Sequence, residues 1–273
     1  MSTVTTSDGV RLNVVERGSG ETILLIPGWG VSTWWFHRQL EHLADRFRVV
    51  AYDPRNQGDS ERTVRGARIG RAAADLRDVL AAVGTAPVHV VAWSGGVSTF
   101  LHYVELFGTD GIASFVSAGG TPKLSTGDDW ELAFYPPDAV VAAVAGIRAD
   151  FAAYASFVVP TFLALPTPEQ VETGVAEMLK GDPEGAARMS QNFLEQDLRE
   201  LVPLVDVPVL ALAGALDQAV HPGNAEWIAR HVPDGEWEVF DEASHALFLD
   251  EPERFDDRVA AFVDAHRTRR PAA

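Results

Sequence analysis

The sequence predicts an α/β protein: a mostly parallel sheet of eight strands flanked by helices, interrupted once by a helical insertion. Three observations predict it. Short apolar, β-branched runs alternate with amphipathic helical patterns through residues 1–122 and again through 203–273, the rhythm of right-handed strand–helix–strand crossovers. The central runs are apolar throughout, as strands covered on both faces are. From Lys123 to Val202 no strand-like run occurs and the chain is rich in alanine, aromatics and proline-punctuated helical patterns. The expected organisation is a core of 1–122 and 203–273 carrying a helical cap of 123–202.

Thr3 to Thr6 and Val10 to Val15, joined by the Asp8-Gly9 turn, read as an antiparallel hairpin at one sheet edge. Thr22 to Ile26 is a buried strand running into the loop Pro27-Gly28-Trp29-Gly30. Trp34 to Asp45 reads as a helix, and Phe47 to Tyr52 as a strand ending in Asp53-Pro54-Arg55-Asn56-Gln57-Gly58-Asp59-Ser60. Ile69, Ala72, Ala73, Leu76, Val79, Leu80 and Val83 form a helical apolar stripe stopped by Gly84. Val88 to Ala92 is a strand, and Val97, Phe100, Leu101 and Val104 recur at helical spacing. Gly111 to Ser117 is the next strand, closed by Gly119-Gly120-Thr121-Pro122. After the insertion come a strand at Val207 to Ala213, a helix near Asn224 to His231 and a strand at Glu236 to Phe240. The last helix begins at Pro252 and carries Phe255, Val259, Phe262 and Val263 on one face.

Composition excludes several functions. A net charge of −17 argues against nucleic acid and anionic membranes, because phosphate binding needs a basic face. The cluster Arg267, Arg269 and Arg270 lies in a short tail and reads as a solvated terminus. No stretch is apolar enough to span a bilayer and the start lacks a signal-peptide pattern, so a cytoplasmic protein is expected. The absence of cysteine rules out disulfides, thiolate metal sites and a cysteine nucleophile. No cofactor or metal is expected. Gly28-Trp29-Gly30 lacks the third glycine and acidic partner of a dinucleotide fingerprint, and His37 and His42 are wrongly spaced for a zinc pair on one helix face.

Chemistry concentrates at Trp93-Ser94-Gly95-Gly96. A serine squeezed between a buried strand and a helix is lifted clear of the sheet, and its neighbours two positions away must be small; here they are Ala92 and Gly96. A Ser-Gly-Gly turn alone carries no chemistry, so its context decides. The strand ending at Ala213 leads to Asp217, and the strand ending at Phe240 leads to Ser244-His245. These motifs resemble the α/β-hydrolase family: a nucleophile elbow with Ala92 in place of the usual first glycine, then acid, then histidine in that family's chain order. The resemblance covers nearly the whole chain outside the cap.

It implies a catalytic triad of Ser94, Asp217 and His245, with His245 as general base and Asp217 fixing its tautomer. Asp241, Glu242 and Asp250 compete for the acid role; Asp217 is preferred because it follows a buried strand. The oxyanion hole implied is the backbone N–H of Gly95 with that of Trp29, although Pro27 stands where the family's loop has histidine. The 53–60 loop resembles a family loop with Asn56 replacing glycine and is expected to support the elbow, Arg55 being able to face the pocket. Trp29, Trp93 and Trp130 are the expected substrate contacts, within an aromatic group that includes Trp34, Trp35, Phe134, Tyr135, Phe157 and Phe162.

The implied function is a serine hydrolase of a carboxylic ester or lactone of a hydrophobic small molecule. The same triad serves cofactor-free haloperoxidase-like perhydrolases and carbon–carbon bond hydrolases. A reading of another class is a catalytically silent receptor that binds a ligand in the same pocket.

Overall fold

The computed structural model describes residues 2–267 apart from 64, 85, 86 and 128, and apart from the side chain of 194. Arg269 and Arg270 of the basic tail lie outside the described residues. The strands are β1 (Ser2–Thr5), β2 (Arg11–Gly18), β3 (Thr22–Ile26), β4 (Arg48–Tyr52), β5 (Val88–Trp93), β6 (Ile112–Ala118), β7 (Val209–Gly214) and β8 (Gly235–Phe240). They form one sheet in the order β1-β2-β4-β3-β5-β6-β7-β8. Only β2 runs against its neighbours, and every pair from β4 to β8 is parallel.

Strand alternation explains the two-sided core. Ile23, Leu25, Val49, Val91, Val116 and Leu210 face a cluster that includes Trp35, Phe36, Phe248 and Phe255. Their chain neighbours Leu24, Ile26, Val50, Val90, Phe115 and Val209 face the opposite cluster. That second layer is supplied by α2 (Ile69–Val83), α3 (Gly95–Phe107) and α8 (Gly223–His231), and the first by α1 (His37–His42) and α10 (Pro252–Ala265). The histidine of β5, His89, is fully buried, and its Nδ1 meets Ser114 Oγ on the adjacent strand at 2.8 Å.

The helix expected over Trp34 to Asp45 is broken into three. Thr33–Phe36 and Leu43–Asp45 are 3₁₀ turns, and only His37–His42 is α-helical. Ser32 caps the first turn by accepting the Trp34 amide, and Phe47 N–H donates to Leu43 O at 2.9 Å, which turns the chain straight into β4. Short tight turns at helix ends satisfy backbone groups that a regular helix leaves open.

Between β6 and β7 lie α4 (Pro137–Ala149), α5 (Phe151–Val158), α6 (Pro168–Leu179) and α7 (Pro183–Glu195); a final short helix, α9 (Leu247–Asp250), follows β8. The inserted segment is tied to the core by backbone bonds near the strand ends. Ala246 N–H donates to Phe162 O at 2.7 Å, Asp182 N–H to Asn56 O at 2.9 Å, and Leu198 N–H to Pro122 O at 2.8 Å. Among the described residues no helix is long and apolar enough to cross a membrane.

Candidate active site

Ser94 sits between β5 and α3 at φ 52°, ψ −118°, a conformation that costs a non-glycine residue about 1–3 kcal/mol. The surroundings hold it there. Ser94 N–H donates to Ala118 O and Ser94 O accepts from Val97 N–H, both at 2.9 Å. The demand for small neighbours is visible at Gly96, where a Cβ would come within 2.6 Å of Ile26 O and 2.8 Å of Pro27 O. At Gly28 a Cβ would stand 3.2 Å from Ser94 Cβ. The Ser94 hydroxyl makes no hydrogen bond among the described residues and belongs to the wall of the main cavity, as does His245.

His245 is almost fully buried on the loop after β8, its ring packed against both Trp93 and Phe162 at centroid distances of 5.4 and 5.5 Å. Trp93 Nε1 donates to His245 O at 3.0 Å, which fixes the backbone from below. Gly119, at φ 55°, leaves room for the imidazole: a Cβ there would stand 3.2 Å from His245 Nδ1. The carboxylate that meets Nδ1 is Asp217, at 2.8 Å from Oδ2. Asp217 Oδ1 accepts the amides of Ala219 and Val220 at 2.7 and 2.9 Å, so both oxygens are held. In the tautomer whose Nδ1–H donates to Asp217, the Nε2 lone pair is free to accept a proton.

The rival carboxylates do other work. Asp250 accepts Ser244 N–H at 2.8 Å and Ala164 N–H at 3.1 Å, tying the histidine loop to the inserted segment, and burial pushes its pKa up. Asp241 and Glu242 are exposed.

The two expected oxyanion donors are adjacent. A Cβ built on Gly95 would lie 3.2 Å from Trp29 N, and neither amide has an acceptor among the described residues. Gly95 also opens α3, whose dipole favours negative charge at that end. Gln57 secures the Trp29 loop, a role that sequence reasoning missed. Its Nε2 donates to Gly28 O and Val31 O at 3.1 and 2.8 Å, and its Oε1 accepts Gly30 N–H at 2.9 Å. Gln57 thus braces the loop in which Pro27 replaces histidine.

The 53–60 loop therefore braces the Gly28–Val31 loop directly, where support of the elbow was expected. Asp53 adds Thr33 N–H at 2.6 Å and Asp59 N–H at 2.9 Å. Asn56 takes φ 65°, the left-handed conformation that asparagine tolerates in place of glycine. Arg55 does not face the pocket. It is buried in a forked pair with Asp75 at 2.6 and 2.7 Å and reaches Asp8 at 3.0 Å, which holds the Asp8 carboxyl well below the usual range.

The main cavity, about 560 Å³, has Ser94, Gly95, Trp29, Trp93 and His245 in its wall and is lined mostly by apolar side chains such as Val140, Tyr154, Phe157, Phe162 and Phe193, with uncharged polar groups including Ser98, Thr121, Gln196 and Gln218 among them. No Asp, Glu, Lys or Arg among the described residues lines it. Trp29 and Trp93 reach it as expected; Trp130 does not. Trp130 packs edge-on against Trp227, with Nε1 on Lys123 O and the Arg199 guanidinium over its ring, so it anchors the start of the inserted segment. Trp35 is core, Trp34 stacks on His37, and Phe134 lies against His221 away from the cavity wall. The alanine-rich α4 and α5, which supply much of the lining, carry no sequence signal that distinguishes cavity from core.

Comparison with known proteins agrees with this architecture. The family described as alpha/beta hydrolase fold matches residues 21–156. A pimeloyl-[acyl-carrier protein] methyl ester esterase of Vibrio cholerae is 27% identical over 90% of this chain and 95% of its own length. A non-heme haloperoxidase of Rhodococcus erythropolis is 27% identical over 97% of this chain and all of its own length, 100%. The solved esterase of Exiguobacterium antarcticum superposes with a TM-score of 0.92 at 23% identity, covering 96% of this chain and 99% of that one. With one reversed strand in an otherwise parallel eight-stranded sheet, a positive-φ serine between β5 and α3, and a matching sequence profile over residues 21–156, the chain has the α/β-hydrolase fold.

Proposed function

We propose that this α/β-hydrolase cleaves a carboxylic ester or lactone of an uncharged, hydrophobic small molecule, using Ser94, His245 and Asp217, with residues 123–202 as a cap over the catalytic core. The observation that carries the reading is a strained serine flanked by two amides, its hydroxyl and their N–H groups without a hydrogen bond among the described residues, in one cavity wall with a histidine already held by a buried carboxylate. The identity with ester-hydrolysing relatives supports the same chemistry.

In the first half-reaction Ser94 Oγ bonds to the substrate carbonyl carbon while its proton passes to His245 Nε2. The carbonyl π electrons move onto oxygen, where the N–H groups of Gly95 and Trp29 receive the charge. Collapse of this adduct breaks the bond to the alcohol oxygen, which leaves with the proton from Nε2. Water then attacks the acyl-enzyme, gives one proton to His245, and expels Ser94 Oγ, which takes that proton back. Asp217 holds the imidazole throughout and stabilises its cationic form. The apolar, charge-free lining excludes water from the substrate's body and selects neutral molecules.

A second reading has hydrogen peroxide in place of water at the acyl-enzyme, releasing a peracid; the haloperoxidase relative favours it. The experiment for both is labelling with a fluorophosphonate, followed by assays with short p-nitrophenyl esters, a lactone panel and peracid detection. Labelling lost in Ser94→Ala is expected. Folded wild-type protein that is not labelled would instead make the chain a silent receptor.

A further inference from the structure

Position 95 follows the nucleophile and carries no side chain, yet the space beside it is filled. A Cβ built on Gly95 would stand 2.6 Å from Phe193 Cζ and 3.3 Å from Phe193 Cε1. The ring comes from the last turn of α7 and is only 7% exposed, so it is packed in place. Phe193 also bounds a second cavity, of about 20 Å³, together with Trp29, Gly95, Thr99 and Met189. That void has room for about one water. Gly28, Trp29, Gly95 and Phe193 belong to the walls of both cavities, so the phenyl ring is a partition between the substrate space and the void behind the oxyanion donors.

The chemistry assigns a direction to this partition. Four groups surround the reacting carbon in the tetrahedral adduct. One is Ser94 Oγ, and one is the oxyanion on the Gly95 and Trp29 amides. The leaving alcohol must lie toward His245, which gives it a proton. The acyl chain takes the direction that remains. His245 packs on the Trp93 and Phe162 side and is absent from the wall of the small void, whereas Phe193 closes the side at Gly95. The ring therefore stands across the acyl path.

We propose that Phe193 sets the acyl-size limit of this enzyme and makes it selective for esters of short-chain acids, the alcohol side being the more tolerant. This rests on the Ser94 acyl-enzyme reading. Shortening the side chain joins the small void to the main cavity and opens the acyl path.

The test compares wild type, Phe193→Ala and Phe193→Leu in kcat/KM for p-nitrophenyl esters from acetate to decanoate. A parallel series uses acetates of alcohols from methanol to decanol. One methylene in a hydrophobic pocket discriminates by roughly 10-fold or more, so the octanoate-to-acetate ratio is expected to rise at least about 10-fold in Phe193→Ala and by less in Phe193→Leu. The alcohol series should keep its wild-type profile. Fluorophosphonate labelling of each variant reports whether Ser94 is still activated; the leucine variant keeps an apolar side chain in the packed position if alanine loosens α7. An unchanged acyl profile in labelled variants, or a shift in the alcohol series instead, overturns the assignment of Phe193. A wild type that neither labels nor hydrolyses any ester fails at the acyl-enzyme itself, a different result.

Discussion

Replacing Gln57 by leucine removes the brace of the oxyanion loop while keeping a side chain of similar length. Three hydrogen bonds disappear: those to Gly28 O, Val31 O and from Gly30 N–H. If the loop stayed in place, three buried backbone groups would lose their partner at about 1–3 kcal/mol each. Relaxation of Gly28-Trp29-Gly30 toward other partners costs less, and it carries Trp29 N–H off the position proposed for the oxyanion. Loss of one such donor lowers kcat by about 10²–10³-fold. The expected result for Gln57→Leu is therefore a fall in kcat of about 10²-fold on a short ester, with KM changing little, because the donor acts mainly in the transition state. Unfolding in urea should show a loss of about 2–3 kcal/mol, less than three full desolvation penalties because the loop adapts. Steady-state kinetics and urea titration at one temperature measure both. A folded Gln57→Leu enzyme that keeps kcat within about 3-fold of wild type would refute the brace, since no displaced donor leaves the rate so little changed.

Asp217→Asn should lower kcat by about 10³–10⁴-fold with the fold intact: the amide oxygen must face Ala219 and Val220 N–H, which turns the NH₂ toward His245 Nδ1 and imposes the wrong tautomer. Arg55→Met leaves buried Asp75 with Arg71 alone, and calorimetry should find the protein less stable by about 3 kcal/mol, with kcat unaffected in the folded enzyme because Arg55 is not in the cavity wall. Burial raises the Asp256 carboxyl above its ordinary value of 3.8, against the opposing hydrogen bonds from Gln39 and His42. The native state therefore holds that proton more tightly than the unfolded chain, so the group's contribution to stability is greatest below 3.8 and is lost as pH rises through the raised value. Asp256→Asn lacks this titration, and its urea midpoint should gain on wild type as pH rises above about 4; a constant difference would contradict the raised value.

Much of the framework was legible because local rules and global fold agree there. The apolar runs of β3, β5 and β7 are buried on both faces, and the limits of α2 follow from its stripe and from Gly84, which takes φ 128° after the last turn. The elbow was legible for a steric reason: Gly96 abuts the carbonyl oxygens of Ile26 and Pro27, so the sequence must carry a small residue there whatever else it does. The order of Ser94, Asp217 and His245 at three strand ends likewise follows from the alternation itself, and Asp217 does meet His245. Features that depend on long-range packing were not legible in this way. An aromatic residue has the same signature in core and cavity, so Trp130 could not be separated from Trp29 until Trp130 was found packed against Trp227. Gln57 and Phe193 act on groups far away in the chain, through hydrogen bonds and contacts that no periodicity encodes. Scaffold and candidate reacting groups can be read from the chain because they depend on spacing and backbone sterics; the shape of the cavity and what braces it emerge only on folding, because they depend on which distant surfaces meet.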